Sequence, residues 1–163
     1  MLKFAVWLRE ISRHISRLRE CTPRVVVDKL TGAVGTMAGL GDRALEVQRL
    51  VMEDLKLGTA EVTSQIIQRD RHAELVCTLA NLTSSIDKFS TEIRNLQRTE
   101  IDEAREPFNV KSQIGSSAMP HKMNPRISEN ISSVAKIVRS LVQPSLESVI
   151  TWHERDLTQS AAD

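Results

Sequence analysis

The chain has 163 residues, 40% of them hydrophobic and 26% charged, which fits one ordinary domain and excludes global disorder. Lys and Arg number 22 against 21 for Asp and Glu, a net charge of +1, so there is no overall electrostatic footprint for nucleic acid. With 3% aromatic residues and no Tyr, the core must rely on Leu, Ile, Val, Ala and Met, which suits helix-on-helix packing and not a β-sandwich. No apolar run approaches the roughly 20 residues that span a bilayer. Lys3, Arg9 and Glu10 interrupt any signal peptide. Cys21 and Cys77 lie far apart without a CxxC partner, and read as two buried thiols in a reducing compartment. The expectation is a cytoplasmic protein that binds neither membrane nor nucleic acid.

In chain order, Phe4, Leu8, Ile11, Ile15 and Leu18 repeat at steps of four and three, which predicts a helix over 2–19 with this stripe inward. Arg9, Arg13 and Arg17 take the other side, and His14 on that side is expected to be solvated. Pro23 should end the helix. Residues 23–41 read as irregular, with a short extended piece at Val25, Val26 and Val27. Gly32, Gly35, Gly39 and Gly41, with Ala33 and Ala38, allow close backbone approach, but neither GxGxxG nor GxxxxGK[ST] occurs. A second helix is predicted over 42–57, with Asp42 as N-cap, Gly58 as C-terminal cap and an apolar side of Leu45, Leu50, Val51, Met52 and Leu55.

A third helix is predicted over 64–106, on the order of 60 Å long at about 1.5 Å per residue. Leu75, Leu79, Leu82, Ile86, Phe89, Ile93 and Leu96 hold its stripe. A chain of this size cannot cover so long a helix alone, which argues for a bundle shared between chains. Residues 108–125 read as a loop. A fourth helix is predicted over 126–157, with Ile127, Ile131, Val134, Val138, Leu141 and Val142 inward and a kink at Pro144. The fold class is all-α.

Chemistry concentrates in GSSAMPHKMNP, residues 115–125, and the RISEN that follows. A glycine and two hydroxyls precede Lys122 and Asn124, and the next acid is Glu129. Loop N–H groups and a helix start favour an anion, Lys122 adds charge and Asn124 an amide donor. Such a set could hold a carboxylate and stabilise negative charge developing on it. By residue type alone, a polar surface loop leading to a helix cap reads as well. Gln65 could be a polar residue at a helix start, Glu129 a first-turn acid, and Arg155 the partner of Asp156 or Glu154. Arg69 and Arg71 read as structural, paired with Asp70, Glu74 or another chain. His72 reads as structural, and His153 could face the site. No HExxH or Cys/His cluster suggests a metal.

The string at 115–125 is the signature of the fumarase/aspartase superfamily, and the chain resembles its members. LTGAVGT at 30–36, QIIQRDRHAE at 65–74, EIRNLQRTEI at 92–101 and WHERDLTQSAA at 152–162 are similar to the adenylosuccinate lyases. Carboxymuconate cycloisomerases are the nearest competitor. The resemblance spans nearly the whole chain and implies a long-helix bundle of the central-domain type, assembled into a tetrameric core. It implies release of fumarate by β-elimination from adenylosuccinate, and from a related succinylated imidazole ribonucleotide of purine biosynthesis, with no cofactor. In that pattern Ser116 matches the base, with Ser117 as its neighbour. Lys122 and Asn124 match the carboxylate grip, and Met119 the substrate-binding loop. Glu129 matches the group that orients an acid histidine. Gln65 matches a substrate-binding glutamine, and Arg155 and Ser160 match nucleotide-phosphate contacts. His121 occupies a variable position. The family's acid histidine, an N-terminal Thr-Ser motif and a C-terminal arginine have no match here. Residues 1–163 are therefore expected to be the central domain alone, without turnover by themselves. A non-catalytic helical oligomerisation module is the competing expectation.

Overall fold

The elements run, in order, α1 (Leu2–Val25), β1 (Val27–Asp28), a 3-10 helix (Ala38–Arg43), α2 (Ala44–Leu55), β2 (Gly58–Thr59), α3 (Asp70–Leu96), α4 (Arg126–Ser140) and α5 (Val142–Glu147). They come from a computed structural model that describes residues 2–109, 113–153 and 155–158. The helical class holds. Among the described residues the only strands are the two-residue pair, parallel, with Val27 opposite Gly58 and Asp28 opposite Thr59. α3 is the hub against which α1, α4 and α5 pack.

Several expected boundaries move. α1 runs through Pro23 to Val25, and Val26 N–H still bonds to the Thr22 carbonyl at 2.8 Å. A proline one turn from a helix end removes a single bond, which the terminus tolerates. Only Val27 of the three valines is in the strand. Asp42 does not cap α2; it lies in the 3-10 helix, and Arg43 holds the N-cap place. Lys56, with φ of 58°, closes α2 in the left-handed conformation expected of Gly58, which pairs in β2 instead. α3 is 27 residues long, not 43, because the chain bends before Asp70 and turns after Leu96. The fourth helix divides at Leu141 and ends at Glu147. Pro144 cannot donate to the Ser140 carbonyl, so the break falls one turn before the proline.

Between the helices lie small side chains: Ala73, Ala80, Ser85 and Ser90 of α3, and Ser128, Ser132 and Ala135 of α4. Their size lets the axes approach closely. Arg139 of α4 also donates to Asp87 of α3 at 2.9 Å. Much of what was expected to point inward is outside. Leu8 is 67% exposed, Ile127 and Val134 are each 57% exposed, and Phe4, Ile15 and Leu141 are exposed too.

The face α1 gives to α3 carries Trp7, which stacks on Phe89 at 4.6 Å, then His14 and Cys21. Cys21 is buried as expected and Cys77 half-buried. His14 is not solvated: it is 2% exposed. Its Nε2 lies 2.8 Å from the Ser85 hydroxyl, which donates its one proton to Glu10 at 2.5 Å. Nε2 must therefore donate, leaving Nδ1 as the acceptor, 3.4 Å from the Arg17 guanidinium. The imidazole is neutral. Burial, then the nearby Arg17 cation, lowers its pKa from 6.5.

Candidate active site

Beyond α3 the chain turns at residues 97–102, with Asp102 at φ 52°, and enters the long loop that ends at α4. The stem of this loop is tied. The Gln97 side-chain N–H donates to the Met123 carbonyl at 3.0 Å, and its side-chain oxygen accepts the Glu106 N–H at 2.9 Å. The Glu106 carboxylate accepts the N–H groups of Ile127 at 2.9 Å and Ser128 at 2.7 Å, and the Ser128 hydroxyl at 2.5 Å.

This corrects one expectation. The start of α4 does favour an anion, but the anion there is the protein's own Glu106. Burial works against its charge. The Ser128 hydroxyl and the two backbone N–H groups outweigh that, and hold its carboxyl below the ordinary value.

Within the loop, residues 115–122 fold back on themselves. Gly115 N–H donates to the Pro120 carbonyl at 3.0 Å, and Lys122 N–H to the Met119 carbonyl at 3.0 Å. A Cβ at position 115 would stand 1.9 Å from the Lys122 carbonyl oxygen, so this turn admits only glycine there. The half-buried Ser116 hydroxyl oxygen accepts the Met119 N–H at 2.8 Å. The hydroxyl proton faces the Met119 carbonyl at 3.4 Å, and were that proton lost, the Met119 N–H would stabilise the alkoxide. Ser117 and Met119 are exposed. Lys122 and Asn124 line an open groove of about 450 Å³, with Arg105, His121 and Gln97. Glu129 is exposed in the first turn of α4, its N–H bonded to the Pro125 carbonyl at 3.0 Å.

The remaining candidates lie elsewhere. Gln65 is half-buried in the bend before α3, between Ser64 and Ile66, which line a second cavity of about 310 Å³ with Arg69, Thr151 and His153. Arg155 is exposed in the segment just beyond. Ser160 and Glu154 lie outside the described residues. Arg71 donates to the Arg24 carbonyl at 2.7 Å, and Glu74 pairs with Arg24 instead. The 27 residues of α3 separate the serine loop from the Gln65 end by about 40 Å. One chain thus brings Ser116, Met119, Lys122 and Asn124 into one loop, and the Gln65 bend and His153 to the opposite end of the same helix. Sequence reading missed Gln97 and Glu106, because their partners are 26 and 21 or 22 residues away and no local pattern marks them. Among the described residues no group of three or more His, Cys, Asp and Glu could hold a metal ion, and no helix is long and apolar enough to cross a membrane.

A family model described as "Lyase" matches residues 2–140. Adenylosuccinate lyase of Pyrococcus abyssi is 54% identical over 162 residues, 99% of this chain and 36% of that protein. The Methanothermobacter thermautotrophicus enzyme of that name is 49% identical over the same shares. Among solved structures, the 3-carboxy-cis,cis-muconate lactonizing enzyme from Pseudomonas putida has a TM-score of 0.83 at 34% identity, over 98% of this chain and 34% of that one. A fumarate lyase from Mesorhizobium sp. BNC1 has a TM-score of 0.80 at 35% identity, over the same shares. The chain spans just over a third of the length of the curated relatives it matches.

Proposed function

The chain belongs to the lyase family, and from that premise we propose that it is the catalytic-loop segment, the central helical domain, of an adenylosuccinate lyase. Such an enzyme releases fumarate from adenylosuccinate and from the related succinylated imidazole ribonucleotide of purine biosynthesis. The observation that carries the reading is the serine turn, in which the Met119 N–H is already aimed at the Ser116 oxygen.

In this reading the Ser116 alkoxide removes a proton from the carbon beside a substrate carboxylate. The electron pair moves into that carboxylate as an aci-carboxylate dianion. Lys122 and Asn124 grip it, and Lys122 offsets its growing charge. The pair then returns, the C–N bond breaks, and the amine leaves with a proton from an acid histidine that Glu129 orients. Gln65 and Ser117 bind substrate, and Arg155 and Ser160 its phosphate. No cofactor is needed, and the setting is the cytoplasm. The two candidate groups lie at opposite ends of α3, and large apolar residues are exposed on α1 and α4. Both support a homo-oligomer in which the loop of one copy meets the Gln65 end of another, and the family resemblance makes that oligomer a tetramer.

A chimera tests this: residues 2–163 replace the matching 162 residues of the Pyrococcus abyssi protein. It should release fumarate from adenylosuccinate, and Ser116→Ala should lower kcat on the order of a thousandfold. The isolated chain should show no measurable turnover. A chimera that acts on a carboxymuconate and ignores adenylosuccinate would instead support the cycloisomerase reading, which the resemblance to the Pseudomonas putida enzyme favours at lower identity.

A further inference from the structure

The tie at the stem of the serine loop joins chain segments that have no local reason to meet. Glu106 and Ile127 are 21 residues apart. Closing such a stretch costs chain entropy, and the first N–H groups of α4 need acceptors that the helix cannot supply. Glu106 meets both needs, because its two oxygens take the N–H groups of Ile127 and Ser128 separately, and the Ser128 hydroxyl as well. Ser128 is 2% exposed, so water cannot substitute for that acceptor. Gln97 performs the matching task on the α3 side. Its amide spans the loop's entry and exit, taking the Glu106 N–H and donating to the Met123 carbonyl next to Lys122.

We propose that Gln97 and Glu106 are positioning residues that clasp the serine loop, fixing the start of α4 against the end of α3 and so limiting the excursions of the segment carrying Ser116 and Lys122. Neither side chain is assigned a role in the chemistry. As a statement about catalysis the clasp rests on the lyase reading; as a statement about the loop it does not. A carboxylate shared by two N–H groups and a hydroxyl is a strong, charge-assisted acceptor. A carboxamide in its place keeps one oxygen and turns an NH2 group toward the second N–H. A thioether of similar size keeps neither. The clasp therefore predicts a graded series that a space-filling role does not.

The test is backbone hydrogen exchange on the chain itself, for wild type, Glu106→Gln, Glu106→Met and Gln97→Ala. The hydrogen-bonded amides of Gly115, Met119, Lys122, Ile127 and Ser128 should exchange on the order of tenfold faster in Glu106→Gln, and on the order of a hundredfold faster in Glu106→Met. Gln97→Ala should resemble Glu106→Gln. Amides of α1 and the middle of α3 should be unchanged. Equal rates in wild type and Glu106→Met, or a uniform rise in every helix, would overturn the proposal. In the chimera, Glu106→Gln should lower kcat on the order of tenfold and leave KM within about twofold, since the loop still binds but is less often in place. A rise in KM alone would overturn the positioning role. An inactive wild-type chimera would overturn the lyase reading, and the exchange series would still decide the clasp.

Discussion

His14 is the residue whose surroundings make the clearest claim about solution behaviour. The groups facing it are Ser85 and Lys88 on α3, and Glu10, Arg13 and Arg17 on its own helix. The fold holds the imidazole neutral, whereas in the unfolded chain it takes a proton near pH 6.5. Below pH 6.5 the unfolded state therefore binds more protons. The stability that His14 brings is complete above that pH and is lost as pH falls toward the lowered folded pKa. Urea unfolding midpoints should fall between about pH 7 and pH 5. In His14→Gln, whose amide can still donate to Ser85 and never ionises, the fall should be smaller. An equal slope in both proteins would show that His14 does not couple to folding.

At the scale of elements, the α3–α4 seam depends on small residues. Ala135 is 2% exposed. Ala135→Leu should cost about 1–3 kcal/mol by overpacking, read as a lower thermal midpoint with near-native helical content at low temperature. The seam also shows why the sequence was only partly legible. Periodicity located α1, α3 and α4, and Pro125 marked the start of α4 correctly. The apolar stripe does stop at Leu96, since its next position is Glu100, but no Gly or Pro stands between 97 and 106, so the predicted helix runs on to Pro107. His14 was misread because the stripe of large residues was taken as the buried one, when small and polar residues occupy the seam. The candidate site was legible as far as its string reached, including Gly115, whose turn leaves no room for a side chain. Gln97 and Glu106 were not, since their roles exist only when residues more than twenty positions apart are brought together.

At the scale of the whole molecule, apolar residues such as Leu8, Val134 and Ile137 are more than half exposed in a single chain. Patches of that kind mark association surfaces. Val134→Glu with Ile137→Glu should leave the circular dichroism of the chain near that of wild type and lower its sedimentation mass. A wild-type chain that sediments as a monomer at high concentration would contradict the assembly proposed above.

The length of α3 has a consequence for inheritance. With the serine turn at one tip and Gln65 at the other, a copy within the assembly proposed above serves its neighbours' pockets and not one wholly its own. In the proposed oligomer, a gene copy damaged at position 116 and another damaged at position 65 could heal each other in the same cell, each lending the intact tip that the other has lost.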